Sequence, residues 1–287
     1  MSSAPSRLRS LLFAPANRPD VLMKLPRSGP DGVVIDMEDA VPSEGKGEAR
    51  ANAREVGQRL AAEHPALSVY VRVNAVPSEW FAADVAEALT DSIAGVVVPK
   101  LESQAQVETV AQALEAEGLG ALHVVAGIET AVGVARVEDV FHPPVAVAYF
   151  GAEDFVADMG GVRTRTNAEV LYARSRVALA ARVAGVHALD QIVPAFGDDQ
   201  HFVTDAREAR AIGFRGKMCI HPVQVPLANQ VFSPSEEELD HARRLLAAYE
   251  TASSAGEGAI EFEGQMVDEP MARRARAVLA AGRIDEH

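Results

Sequence analysis

The sequence predicts an α/β fold, a closed (β/α)8 TIM barrel with a C-terminal helical arm, on three observations. Short β-branched apolar runs alternate with longer Ala-, Glu- and Arg-rich segments of helical spacing, as a chain of βα units requires. Eight such runs stand at residues 10–14, 32–36, 68–74, 95–99, 123–128, 145–150, 189–193 and 216–220. Runs such as Val96-Val97-Val98 are apolar throughout, as strands covered on both faces must be, and none reads as a polar edge, which favours a closed barrel over an open sheet.

Between the runs, helical patterns occupy residues 44–63, 79–90, 103–117, 167–184 and 198–212. After the eighth run come His221-Pro222, a helix from about Val223 and a longer helix over 235–252, opened by the capping pattern Ser235-Glu236-Glu237-Glu238. Residues 253–258 have the composition of a flexible linker. Residues 259–266 read as a hairpin or extended arm, and 268–281 as a last helix. The expected division is a catalytic barrel over 1–232 and a C-terminal helix, linker and arm over 233–287. An arm beyond a complete barrel is expected to pack on a neighbouring subunit.

Composition bounds what this barrel can meet. Its 287 residues suit one barrel plus a tail, and a hydrophobic fraction of 48% supplies a large core. No stretch approaches the roughly 20 apolar residues that span a bilayer, and no basic segment leads into an apolar signal core. The single cysteine, Cys219, lies in a strand-like run and reads as a buried thiol in a reducing compartment. A cytoplasmic protein without a membrane partner is expected. The formal charge of −14 opposes nucleic acid and anionic lipid, so an anionic substrate needs a local cluster of Arg, Lys or metal ion.

Barrel chemistry sits where the strands end. The second run ends in Asp36-Met37-Glu38-Asp39, the third carries Arg72 and ends at Asn74, and the fourth ends in Pro99-Lys100. The fifth ends in Glu129-Thr130, the sixth in Gly151-Ala152-Glu153-Asp154, and the eighth in His221. Glu129 and Asp154 follow neighbouring strands, so their carboxylates can converge on one hard cation, Mg²⁺, leaving positions for water and substrate oxygens. The competing reading makes each a helix cap or first-turn acid. Arg72, a guanidinium facing that cation, is suited to hold a substrate carboxylate bidentately. Asp36, Glu38 and Asp39 are supporting candidates that orient Arg72 or a bound water, or else cap a helix or pair with Arg18, Arg72 or Lys100. Lys100 either neutralises an anion or joins that acidic cluster. His221 is a candidate acid or base, set against a strand-end histidine fixed by hydrogen bonding. His187, His201 and His221 lie on separate elements and do not make a zinc site. Gly160-Gly161 lacks a phosphate-loop pattern and reads as a flexible loop beside the site, with Arg163 and Arg165 available to a nucleotide tail or a neighbour.

A resemblance sharpens these expectations over nearly the whole chain. The stretches Leu11-Leu12-Phe13-Ala14-Pro15, Val34-Ile35-Asp36-Met37-Glu38-Asp39-Ala40-Val41, Val71-Arg72-Val73-Asn74, Pro99-Lys100, Gly127-Ile128-Glu129-Thr130, Phe150-Gly151-Ala152-Glu153-Asp154, Gly216-Lys217-Met218-Cys219-Ile220-His221-Pro222 and Met266-Val267-Asp268 occur in family order. Together they resemble the citrate lyase beta subunit family, relatives of the malyl-CoA lyases and HpcH/HpaI aldolases in the phosphoenolpyruvate/pyruvate barrel superfamily. The resemblance implies an Mg²⁺-dependent carbon–carbon lyase acting on a 3-hydroxy-acyl thioester of CoA or acyl-carrier protein, releasing acetyl-CoA or a related thioester and a 2-oxo acid, or running in reverse. It implies that Glu129 and Asp154 bind Mg²⁺, with Glu129 also bordering the substrate, and that Arg72 binds the substrate's carboxylate or carbonyl oxygen. It further implies that Asp268 is catalytic in the site of an adjacent subunit, within a homotrimer or hexamer. One departure is Pro15-Ala16-Asn17, where relatives often have Pro-Gly; alanine disfavours positive φ, so the backbone beside a CoA tail is expected to differ. The alternatives are a malyl-CoA-type thioesterase and a non-catalytic ligand-binding subunit.

Overall fold

The structure, a computed structural model, describes residues 7–285. Eight parallel strands close into a barrel in chain order, β1 (Ser10–Pro15), β2 (Gly32–Asp36), β3 (Ser68–Arg72), β4 (Gly95–Val98), β5 (His123–Ile128), β6 (Val145–Phe150), β7 (His187–Asp190) and β8 (Gly216–Cys219), with β8 pairing back onto β1. The crossovers carry α1 (Pro19–Leu22), α2 (Lys46–Glu63), α3 (Phe81–Ala88), α4 (Gln104–Ala116), α5 (Ala131–Ala135), α6 (Val137–Val140), α7 (Ala152–Asp158), α8 (Leu171–Ala184) and α9 (Asp199–Ile212). After β8 come α10 (Gln224–Phe232), α11 (Glu236–Ser254), β9 (Ile260–Phe262), β10 (Gln265–Val267) and α12 (Glu269–Asp285). The chain divides into two compact units, with the boundary between Asn229 and Gln230.

The expected barrel is present, and its elements end where side chains take over the backbone's hydrogen bonds. β3 stops at Arg72, short of the expected Asn74, because the Asn74 amide donates to the Asp84 carboxylate (2.9 Å) instead of continuing the ladder. β7 spans His187–Asp190 where 189–193 was expected, since the carbonyls of Gln191 and Val193 accept from the Lys217 amino group and the Gln224 amide. α8 begins at Leu171, not at residue 167, because Asn167 sits at φ +54, outside the right-handed region a helix needs.

Strand side chains alternate between the barrel interior and the helix layer. The interior is filled by Leu11, Val34, Tyr70, Val97, Val125, Val147, Tyr149, Leu189 and Met218, with Phe13 packed against them. Counting two residues on from this layer toward the strand ends gives Asp36, Arg72, Gly127 and Gly151, and one more step on β5 gives Glu129. Parity alone therefore turns the polar residues of the rim inward, above an apolar plug.

The opposite parity holds a surprise. Asp190 and Lys217 alternate with the interior residues Leu189 and Met218 and so face the helix layer, where both are fully buried. The Lys217 amino group donates to Asp190 Oδ2 (2.8 Å) and to the Asp205 carboxylate of α9. Arg174 of α8 binds Asp190 bidentately at 3.0 and 2.8 Å. Two cations against two anions make the cluster neutral, which is how charges survive burial. Asn167 and Gln191 complete it, donating to Asp205 Oδ1 at 2.6 and 3.1 Å. The expectation of a plain buried strand holds for Cys219 but misses this role for Lys217.

The second unit has its own small core of Ala242, Leu245, Leu246, Tyr249, Val267, Ala272 and Ala275. Ser235 and Glu238 form the expected capping box on α11, which runs on through Ser253 and Ser254 of the expected linker. β9 and β10 make an antiparallel hairpin turned at Glu263-Gly264, both at positive φ, as a two-residue primed turn demands. Glu263 is held to α11 by Arg244 and by His241 Nδ1 at 3.2 Å.

Replacing Lys217 with Met should leave Asp190 and Asp205 sharing a single cation. An unfolding free energy lowered by about 3–5 kcal/mol is expected in urea titrations. A loss below about 1 kcal/mol would show that the cluster is not a structural keystone.

Candidate active site

At the C-terminal end of the barrel a cavity of about 190 Å³ is lined by Phe13, Asp36, Asp39, Arg72, Glu129 and Tyr149, and by Gly151, Asp154, Ile192 and Met218 among others. Glu129, Asp154 and Arg72, singled out in the sequence, thus share one cavity.

Arg72 is the most firmly held of them. Its Nε and Nη2 bind the Asp36 carboxylate at 2.7 and 2.6 Å, and Nη1 lies 2.9 Å from Glu38 Oε2. The guanidinium lies over the Phe13 ring, 5.4 Å from its centroid. Burial opposes its charge, but Asp36 and Glu38 outweigh that and raise its pKa well above the usual value. Asp36 and Glu38 therefore hold Arg72 in place, and Arg18 pairs with Asp20. A guanidinium has five N–H donors, so the two acids leave Arg72 donors to spare.

Lys100 belongs to the acidic cluster. Its Nζ lies 2.8 Å from Glu38 Oε1, 3.3 Å from Asp39 Oδ2 and 3.6 Å from Asp154 Oδ1. The residue adopts φ +55, a left-handed conformation costly for a side chain with a Cβ, and these three acids hold it there. Burial works against its charge, and Glu38, Asp154 and Asp39 more than compensate, raising its pKa.

Glu129 is in the opposite situation. It is 2% exposed, and its Oε2 has no hydrogen-bond partner among the described residues. Burial first, and then the Glu38 carboxylate, push its pKa up to about 7. Gly151 makes room for it: a Cβ there would stand 2.7 Å from Glu129 Cγ. Thr130 caps α5, accepting from the Gly133 amide, so Glu129 is not the helix cap that the competing reading proposed. Asp154 does lie in the first turn of α7, but its side chain makes no cap and is 45% exposed. The Ala131 amide donates to Asp158 Oδ2 (2.8 Å), tying the loop that carries Glu129 to the helix that carries Asp154.

The residues present fit a divalent cation. A buried acid with an orphaned oxygen faces the same cavity as a half-exposed acid, and carboxylates there outnumber the cations Arg72 and Lys100. Among the described residues, no three His, Cys, Asp or Glu side chains gather to hold a metal by themselves. Such an ion would draw remaining ligands from water or substrate oxygens, as Mg²⁺ commonly does.

Other expected residues are not among the lining residues of this cavity or are occupied. Asp268 belongs to the second unit, at the head of α12, where its carbonyl accepts from the amides of Met271 and Ala272. The His221 ring stacks on Phe196 at 4.7 Å, and its Nδ1 accepts from the Val223 amide, the fixed strand-end role. Arg163 and Arg165, expected to be available, are engaged: Arg163 with Glu153 (2.9 Å) and Glu169, and Arg165 with Asp198 (2.7 Å).

Sequence reading missed the group that supports the loop after β2. Lys46 of α2 is buried, and its amino group donates to the carbonyls of Met37 (2.6 Å) and Glu38 (2.8 Å) and to Asn74 Oδ1 (2.7 Å). Asn74 in turn donates to Asp84 of α3 at 2.6 Å. A signal existed: Lys46 falls in the spacing of the apolar stripe Ala49, Ala53, Val56 and Leu60.

With this geometry in place, comparison with known proteins decides the family. The HpcH/HpaI aldolase/citrate lyase family matches residues 9–222. The chain belongs to that family. It is 52% identical over 283 residues to a citrate lyase subunit beta-like protein of Deinococcus radiodurans, covering 98% of this chain and 99% of that protein. It is 33% identical over 306 residues to the L-malyl-CoA/beta-methylmalyl-CoA lyase of Rhodobacter capsulatus, covering 96% of this chain and 95% of the relative. Among solved structures, CitE from Mycobacterium tuberculosis in complex with magnesium, acetoacetate and coenzyme A matches with a TM-score of 0.81 and 34% identity, over 97% of this chain and 99% of that one. No helix among the described residues of this family member is long and apolar enough to cross a membrane.

The raised Glu129 pKa has a stability consequence in metal-free protein. A folded pKa of about 7 above an ordinary value of 4.5 means that the contribution of Glu129 is fully favourable below pH about 4.5 and is lost as pH rises through about 7. In chelator, urea titrations at pH 5 and 8.5 should show a wild-type loss on the order of 3 kcal/mol relative to Glu129→Gln, which cannot ionise. Parallel pH profiles for the two proteins would refute the assignment.

Proposed function

We propose that this family member is an Mg²⁺-dependent carbon–carbon lyase acting on a 3-hydroxy-acyl thioester of the citryl-CoA or malyl-CoA type, giving acetyl-CoA or a related thioester and a 2-oxo acid, or running the reverse condensation. The observation that carries it is the buried Glu129 carboxylate, whose Oε2 has no hydrogen-bond partner among the described residues, facing one cavity with Asp154 and the firmly oriented Arg72. The magnesium and coenzyme A bound to the Mycobacterium tuberculosis relative, and the malyl-CoA lyase name of another, support the substrate class.

Glu129 and Asp154 would hold the ion. Bound there, Mg²⁺ supplies a Lewis acid beside the substrate's oxygens. Arg72, fixed by Asp36 and Glu38, presents its remaining N–H groups where a carboxylate or a developing oxyanion sits, and needs no reorganisation during reaction. Lys100 keeps Glu38 and Asp39 compensated at the rim. In the cleavage direction the bond between the thioester α-carbon and the hydroxyl-bearing carbon breaks, and the hydroxyl gives its proton to solvent water as the oxo group forms. The electron pair passes to the thioester as an enolate, which takes a proton at carbon. Asp268 of a neighbouring copy is the candidate for that proton transfer, its chain segment reaching across within a homotrimer or hexamer. The exposed Leu171, Tyr172, Leu179 and Val183 of α8 support self-assembly, since a run of large apolar side chains in water marks a covered surface.

Citryl-CoA and malyl-CoA should be cleaved only with Mg²⁺ present. Glu129→Ala and Asp154→Ala should each lower kcat/KM by about two to three orders of magnitude. Full metal-independent turnover by either variant refutes the reading. Chromatography of the products separates the rivals: acetyl-CoA marks a lyase, free CoA marks a thioesterase, and binding without turnover marks a ligand-binding subunit. Sedimentation should return a trimer or hexamer of the 30.5 kDa chain; a monomer would remove the shared role for Asp268.

A further inference from the structure

The cavity contains a second orphaned atom that the proposed chemistry leaves unused. Tyr149, on β6, is 1% exposed, and its hydroxyl has no hydrogen-bond partner among the described residues. Its ring packs edge-on against Phe13, with centroids 6.3 Å apart at 74°, so the phenol stands rigidly in the cavity floor. The residue paired with it on β5 is Gly127, where a Cβ would lie 2.6 Å from the hydroxyl, so the strand beside Tyr149 is cleared for that oxygen. Two residues further along β5's course stands Glu129, whose Oε2 is the other buried orphan of this cavity. Both side chains line the same cavity. A phenol hydroxyl is a donor, a carboxylate is only an acceptor, and each of these orphaned atoms lacks the partner that the other supplies.

We propose that Tyr149 is a positioning residue for Glu129: its hydroxyl donates to the carboxylate and fixes the acid in the orientation that receives a divalent cation. The inference rests on the reading of Glu129 and Asp154 as the cation site. Removing the hydroxyl leaves the ring and its contact with Phe13 in place, so packing is kept while the donor is lost. Hydrogen bonds of this kind to a ligating side chain change metal affinity by about 10–100-fold.

Mn²⁺ titrations without substrate, followed by the electron paramagnetic resonance signal of the free ion, test this on the full chain. Wild type should bind, Glu129→Gln should lose binding, and Tyr149→Phe should bind about tenfold or more weakly. In chelator, Tyr149→Phe should melt close to the wild-type temperature, because the ring and its contact with Phe13 are kept. Equal Mn²⁺ affinity for wild type and Tyr149→Phe overturns the positioning role and leaves the cation site standing. A melting temperature lowered by several degrees in chelator marks the hydroxyl as structural and also overturns it. Failure of wild type to bind Mn²⁺, or equal binding by Glu129→Gln, removes the cation site and this inference with it.

Discussion

The bidentate pair between Arg72 and Asp36 sits where the apolar barrel interior gives way to a polar cavity, and the arrangement above it depends on that pair. A guanidinium turned into a barrel is stable only if its charge is answered there. Asp36, on the adjacent strand and in register with Arg72, answers it, and Glu38 takes a further edge. Arg72 meets only one oxygen of Glu38, so the other can hold Lys100, and Lys100 reaches Asp39 and Asp154. Glu129 is left without an ion pair among the described residues, and burial pushes its carboxyl up to about 7.

Such a site needs stiff loops. The segment after β2 would be free to move were it not pinned by Lys46 through the carbonyls of Met37 and Glu38, with Asn74 and Asp84 bracing the lysine from the next crossover. On the far side, Arg163 links Glu153, next to Asp154, to Glu169, and Asn167 joins this loop to the buried cluster around Asp205 and Lys217. Polar networks in the helix layer thus set loops at the rim, which couples the stability of the fold to the geometry of the cavity.

The barrel and the placement of Asp36, Arg72, Glu129 and Asp154 were legible because they derive from period and parity: apolar runs give strands, and the residues just past each run stand at the rim. Lys46, Asp84, Arg174 and Asp205 were not, since each replaces an apolar residue within a helix stripe, and periodicity treats such a residue as an interruption. Lys217 was hidden in the same way inside a strand. The partners that satisfy them come from elements other than the one carrying each residue, and pairing across elements leaves no local pattern. The early stop of β3 and the late start of α8 were illegible for the same reason, being set by Asp84 and by the backbone of Asn167.

The inward parity of the rim has a bearing on how this barrel can vary. A substitution at Arg72 or Glu129 changes one group, whereas loss of a single residue within β3 or β5 would rotate everything beyond it by half a pleat. Arg72 would then meet the helices, and a valine would take its place over Phe13. Strand length is therefore protected as strictly as the identity of any charged side chain, and insertions in descendants of this chain should accumulate in the turns at the opposite mouth of the barrel.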